Sequence, residues 1–247
     1  MNAAPENIER SGLGVTHGTW PAVKKDISGH LEAFSPLHVI TLTPEMCIRA
    51  RNDAKFREII GHAGMVVPDG VGVVWGQRKL TGMEVEKIPG IDLATWCLEE
   101  TNRIRGKVYL LGAKPDVVEK TASVLASKYP DLVIAGYHDG YFGSDEEKLI
   151  VQAISVANPH ILLVAMGYPA QERFISNNID SINCSVAIGI GGSFDVWSGY
   201  VKRAPAFFRK TGSEWLYRIF SQPRERLRRF PELVKFVFMV LNRKAIF

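Results

Sequence analysis

Leu37-His38-Val39-Ile40-Thr41-Leu42-Thr43-Pro44-Glu45 is the stretch whose reading decides the fold. Its first six residues form a short apolar run with β-branched side chains, the pattern of a strand buried on both faces. Thr43, Pro44 and Glu45 then supply an N-cap, a first-turn proline and an early carboxylate, which together start a helix. A buried strand that runs straight into a helix is the opening of a βαβ unit. The same alternation recurs down the chain. Strands are predicted over 37–42, 64–67, 108–111, 132–136, 161–166 and 186–190. Helices are predicted over 44–60, 90–105, 115–128, 145–157 and 170–179, with Ser144-Asp145-Glu146-Glu147 read as a capping box. Strands alternating with helices give an α/β fold, a Rossmann-like and mostly parallel sheet with helices on both faces. Such sheets bind ligands outside the carboxyl ends of their strands.

The chain has 247 residues, 46% of them apolar, enough for one well-buried α/β domain with an appendage. Cys47, Cys97 and Cys184 are far apart and lie in no metal-binding spacing, which fits a reduced compartment and argues against structural zinc. The polar segment from Met1 to Trp20 contains no apolar signal-peptide core. The late apolar run from Leu233 to Leu241 contains Lys235 and is far shorter than the roughly 20 residues that span a bilayer. A soluble or peripheral protein is expected.

Charge is uneven. From Asp195 to Phe247 there are 12 Lys or Arg against 4 Asp or Glu, and 11 of the chain's 24 Phe, Trp and Tyr. Trp215, Ile219 and Gln222-Pro223 read as a helix that stops near the proline. Arg224, Arg226, Arg228 and Arg229 follow, interleaved with Phe220, Leu227 and Phe230. A run of charge is usually a solvated face. Interleaved with rings and aliphatic residues, it reads as a basic, aromatic C-terminal helical appendage of the interfacial kind, its cations facing lipid phosphates. Some of these arginines also suit a diphosphate, since the guanidinium is a bidentate donor.

The strand exits carry the candidate chemistry. Asp69 stands in Pro68-Asp69-Gly70 directly after a strand. It reads either as turn chemistry or as a general base with a glycine beside it for close ligand approach. Gly112-Ala113-Lys114 and Gly189-Ile190-Gly191-Gly192-Ser193 are tight turns able to cradle an anion. The latter is neither a Walker A loop nor the dinucleotide fingerprint, because Phe194 stands at the third glycine. Gln171 and Glu172 follow Gly167-Tyr168-Pro169 at a helix start, where they serve as first-turn polarity or line the ligand cleft. His138 and Asp139 point to opposite faces of an extended segment and make a poor catalytic pair.

Taken in order, Pro68-Asp69-Gly70, Gly140-Tyr141-Phe142, Gly167-x-Pro169-x-Gln171-Glu172, Gly191-Gly192-x-Phe194-Asp195, Gly199, Arg203-Ala204-Pro205 and Glu214-Trp215-x-x-Arg218 resemble the WecG/TagA/CpsF glycosyltransferase family. The resemblance runs from about Leu37 to Arg229 and leaves the first 30 or so residues outside. It implies a bacterial enzyme of surface-polysaccharide, teichoic-acid or common-antigen assembly. Such an enzyme moves a sugar, with inversion, from a UDP-sugar donor to a polyprenyl-diphosphate-linked acceptor. No cofactor and no metal are implied. The protein would be cytoplasmic and peripheral on the inner face of the cell membrane, with no nucleic acid as partner and a homo-oligomer left open.

By the same resemblance the catalytic residues are Asp69 as base, Thr41 in contact with the substrate region, Gln171 as a polar pocket residue near the sugar, and Arg218, which with one or more of Arg224, Arg226 and Arg228 stabilises the UDP diphosphate. Thr43, Gly70, Lys87, Gly112, Tyr141, Gly167, Glu172, Gly191, Gly192, Asp195, Arg203, Arg224, Arg226 and Arg228 are expected around the substrates. Thr43 stands where many relatives have Asn, and Lys87 where Arg is frequent; lysine keeps the charge but lacks the planar fork. Residues 1–194 are expected as the catalytic core, with 1–30 an N-terminal extension and 195–247 a membrane-associating appendage. The residues alone leave two competing readings, an RNA- or nucleotide-binding protein that uses the basic tail and an NAD-dependent oxidoreductase.

Overall fold

The computed structural model describes residues 11–205, 208 and 223–247. The chain enters along an edge: Thr16 and His17 donate backbone N–H groups to the Val66 carbonyl at 3.0 and 3.3 Å, and the Thr16 hydroxyl accepts from the Val66 N–H at 2.8 Å. Helix α1 (Trp20–Ala33) follows, capped by Thr19, and leads into strand β1 (Leu37–Leu42). Thr43 caps α2 (Pro44–Asn52) with Pro44 in its first turn, as the sequence predicts. The single helix expected over 44–60 is two. Asp53 leaves the helical conformation, and its carboxylate accepts the Phe56 N–H at 3.1 Å to start α3 (Ala54–His62).

Then come β2 (Met65–Pro68), α4 (Val71–Thr81), α5 (Gly90–Arg103), β3 (Lys107–Gly112), α6 (Pro115–Lys128) and β4 (Val133–His138). They are followed by α7 (Ser144–Ala157), β5 (Ile161–Ala165), α8 (Ala170–Asn178), β6 (Val186–Gly189), α9 (Ser193–Trp197) and α10 (Pro223–Leu241). The capping box read at Ser144 does not form. Gly143 is the cap and no side chain bonds it, while the Glu147 carboxylate instead accepts from Asn178 on α8 at 3.0 Å.

All six strands pair in parallel, in the order β2-β1-β6-β5-β3-β4. The period of two sends alternate side chains to opposite layers. Leu37, Val39, Val108, Leu110, Leu163 and Ile188 meet α1, α5 and α6 on one face. Ile40, Leu42 and Val66 meet α2, α3, α4 and α10 on the other, where Tyr109, Leu111, Leu162 and Val164 meet α7 and α8. A Rossmann-like α/β sandwich results, with every strand exit on one rim.

Two ends of the chain differ from the expected boundaries. From Ser11 onward the segment expected as an extension is part of the packing: Leu13 and Val15 are fully buried, and residues 13–17 cover the free edge of β2. Late in the chain, Phe236, Met239 and Val240 are buried in the core with α2 and α4. The apolar run from Leu233 to Leu241 is therefore divided, with Val237, Phe238 and Leu241 facing outward. No described helix is long and apolar enough to cross a membrane. The helix expected from Trp215 to Gln222 lies outside the described residues.

Candidate active site

At the β2 exit the Asp69 N–H donates to the Leu42 carbonyl at 2.9 Å, and the Ile88 N–H donates to the Pro68 carbonyl at 2.8 Å. The loop after α4 is thereby brought back beside β2, carrying Lys87 with it. α5 begins within reach of Asp69, whose Oδ2 accepts the Gly90 N–H at 3.1 Å. A carboxylate at a helix N-terminus is favoured by the helix dipole, and this bond fixes its direction. Thr41 stands directly behind: a Cβ on Gly90 would fall 3.0 Å from the Thr41 hydroxyl oxygen. That hydroxyl, in a residue only 8% exposed, donates to the Gly189 carbonyl at 3.3 Å. Thr43 spends its side chain on the α2 cap, accepting from the Met46 N–H at 3.4 Å.

Gln171 joins the next two exits. Its Oε1 accepts the Gly167 N–H at 3.1 Å and the Gly191 N–H at 3.0 Å, and its Nε2 donates to Glu172 Oε1 at 2.7 Å. Gly167 and Gly191 both have positive φ, and neither has a heavy atom near where a Cβ would project, so both loops border open space. Gln171 is 5% and Glu172 2% exposed. Burial pushes the Glu172 carboxyl up to about 7.

Farther along the rim Gly112 lets β3 and β5 converge, since a Cβ there would fall 2.5 Å from the Ala165 carbonyl. Ala113 donates to that carbonyl and Gly140 donates to Ala113, both at 2.9 Å. Tyr141, 71% exposed, stands out from this turn. His138 turns away, its ring stacked edge-on against Phe142 and 3.5 Å from Glu146.

After β6, Gly192 and Asp195 lie at the start of α9, and the Val201 N–H returns to the Asp195 carbonyl at 2.9 Å. Arg203 then pairs with Asp92 in the first turn of α5, two residues beyond the N–H that Asp69 holds. On β5's side, the Tyr168 hydroxyl donates to Glu232 on α10 at 3.0 Å.

The structure thus brings Asp69, Gly70, Thr41, Lys87, Gln171, Glu172, Gly167, Gly191, Gly192, Asp195 and Arg203 to one stretch of rim, with Gly112 and Tyr141 farther along it. Thr41, Thr43, Gln171 and Arg203 are engaged with the protein itself. Arg218 lies outside the described residues, as do the side chains of Arg224, Arg226 and Arg228 on the first half of α10. Sequence reading missed Gly90, Asp92, Tyr168 and Glu232 as parts of the site; Gly90 carries a signal in retrospect, as a glycine at a helix start, and Gly189, read as part of an anion-cradling turn, instead accepts from the Thr41 hydroxyl. Among the described residues no three His, Cys, Asp or Glu side chains gather as metal ligands.

Comparison with known proteins gives this rim its context. Residues 8–246 match the Glycosyl transferase WecG/TagA/CpsF family. The chain belongs to that family. It is 37% identical over 204 residues to an N-acetylglucosaminyldiphosphoundecaprenol N-acetyl-beta-D-mannosaminyltransferase of Bacillus subtilis (strain 168), covering 83% of this chain and 78% of the relative. It is likewise 37% identical over 182 residues to a protein of the same description from Staphylococcus aureus (strain NCTC 8325), covering 74% and 71%.

Membership as a WecG/TagA/CpsF glycosyltransferase decides against the oxidoreductase and RNA-binding readings. It also moves the boundary of the resemblance. The family match starts at residue 8, so the segment that covers β2 belongs to the family's extent, as does the end of α10. Both segments are buried in one apolar layer with α2, α3 and α4.

Proposed function

We propose that this chain transfers an N-acetylhexosamine from a UDP-sugar to a polyprenyl-diphosphate-linked N-acetylglucosamine, with inversion at the anomeric carbon. The observation that carries the proposal is Asp69: a carboxylate at a strand exit, oriented by the Gly90 N–H, in a chain of this glycosyltransferase family. The relatives' descriptions support the choice of sugars.

Asp69 takes the proton of the acceptor hydroxyl. The oxygen's electron pair forms the new bond to the anomeric carbon, and the electron pair of the broken C–O bond leaves with the UDP diphosphate. Inversion in one displacement needs a single base and stabilisation of the leaving group. Arg218 and one of Arg224, Arg226 and Arg228 supply that stabilisation, donors matched to a diphosphate, so that the reaction proceeds without a metal. The lipid-linked acceptor requires a membrane surface at the cytoplasmic face, and within the basic, aromatic segment 195–247 the part that meets it is the outward side of α10, where Val237, Phe238 and Leu241 are exposed.

Asp69→Asn keeps an acceptor for the Gly90 N–H but removes the base. Transfer falls at least about 1,000-fold while UDP-sugar binding, measured by calorimetry, stays within threefold. Near-normal turnover in that variant removes Asp69 from the mechanism.

A further inference from the structure

Behind the rim lies a buried pair of side chains that proton transfer and leaving-group stabilisation do not use. The Gln171 carbonyl oxygen is occupied twice, by the N–H groups of Gly167 and Gly191, and its amide nitrogen is occupied by Glu172. An amide turned by half a rotation would set its NH₂ against two N–H donors and its carbonyl against a carboxyl oxygen. The three contacts therefore agree on one orientation. Gly189 makes the room for it, because a Cβ there would fall 2.5 Å from the Gln171 Nε2 and 2.9 Å from its Cδ.

Glu172 is the part of this arrangement that needs explaining. It is buried, 2% exposed, and its Oε2 has no hydrogen-bond partner among the described residues. An ionised carboxylate in that position would be costly, and burial raises its proton affinity accordingly. A proton on Oε2 leaves Oε1 as the acceptor that the Gln171 amide uses.

We infer that Glu172 is a positioning residue for sugar transfer: it locks the direction of the Gln171 amide, and the amide in turn sets the separation of the Gly167 and Gly191 loops that border the site. Glu172 acts only through Gln171. The inference rests on the transferase reading above and adds a residue to it. Loops held by hydrogen bonds of one fixed sense keep the bound sugar aligned with the attacking hydroxyl, and a displacement near 1 Å at such a site costs on the order of 100-fold in rate.

The test uses the full chain with a UDP-sugar and a short-chain polyprenyl-diphosphate-linked acceptor. Glu172→Leu lowers kcat tenfold or more with UDP affinity within threefold, because the amide loses its orienting acceptor. Glu172→Gln, neutral and of the same shape, restores kcat to within about threefold of wild type. Gly189→Ala, which alters neither side chain but intrudes on the amide, follows Glu172→Leu and keeps the question decidable if that variant does not fold. Wild-type transfer with kcat unimpaired in both Glu172→Leu and Gly189→Ala overturns the positioning role and leaves the transferase reading standing, as does Glu172→Gln being as impaired as Glu172→Leu. A wild-type protein that transfers no sugar overturns both.

Discussion

At the strand-exit rim, Asp69, Thr41 and Gln171 each hold a backbone group of another segment through a hydrogen bond, at 3.1 Å, 3.3 Å and 3.0–3.1 Å. At the end of α10, Phe236, Met239 and Val240 hold the helix by apolar burial against Gly76, Leu13 and their neighbours. The first kind of contact is directional and individually modest, about 1 kcal/mol net. The second is non-directional and larger, about 1.5–3 kcal/mol for each large side chain buried. The contrast predicts a division of labour. Changes at the rim move atoms near the substrate and cost turnover, and changes under α10 cost stability.

The largest expected effect on stability is at Phe236, which is fully buried against the α4 notch. Phe236→Ala costs about 3–5 kcal/mol, a fall in Tm of about 10 °C for a chain of this size. The turnover of the folded fraction stays within about threefold. A thermal melt with a parallel activity assay checks both. An unchanged Tm would break the comparison from the α10 side.

Next comes the pH response of Glu172. Burial raises its carboxyl from 4.5 to about 7, so the folded chain holds a proton that the unfolded chain releases. The stability this confers is fully present below pH 4.5 and is lost as pH rises through 7. Relative to Glu172→Gln, the wild type loses on the order of 3 kcal/mol between pH 4.5 and 8. Urea melts across that range measure it. Parallel curves for the two proteins would mean that the carboxyl is not buried as described.

Thr41→Val is the smallest. It removes one long hydrogen bond to Gly189 and costs about 1 kcal/mol or less in urea unfolding. A larger loss in kcat than in stability would sharpen the comparison, because Thr41 also backs Gly90 and, through it, Asp69.

Much of the fold was legible in the sequence for a physical reason. Five of the six strands are apolar runs buried almost throughout, and Thr43 starts α2 as its sequence predicts; β4, at the sheet edge, is exposed or half-buried along its length. Helix α4 was not legible, because Val71-Gly72-Val73-Val74-Trp75-Gly76 is poor in helix formers. Gly72 and Gly76 are there for close packing: a Cβ at Gly76 would fall 2.9 Å from the Phe236 ring. The segment 13–17 was missed because it covers a sheet edge without periodicity of its own.

In the site, the part of Asp69 as base comes from the family resemblance and stands as a proposal; its place at a strand exit was legible from the sequence. The inward turn of Thr41 and Gln171 and the pairing of Arg203 with Asp92 were not. Thr41 bonds a residue 148 positions away, and Arg203 one 111 positions away, contacts that only the sheet order creates. The part assigned to Arg218 lies outside the described residues and stands as a proposal.

One measurement tests the central claim most directly. The full chain is incubated with UDP-N-acetylmannosamine and a short-chain polyprenyl-diphosphate-N-acetylglucosamine in the presence of EDTA, and the products are followed by mass spectrometry and anomeric NMR. The account predicts a lipid one N-acetylhexosamine heavier, with a β linkage and release of UDP, and no such product from Asp69→Asn. A wild-type protein that releases UDP without extending the lipid, or extends it equally well without Asp69, contradicts the account.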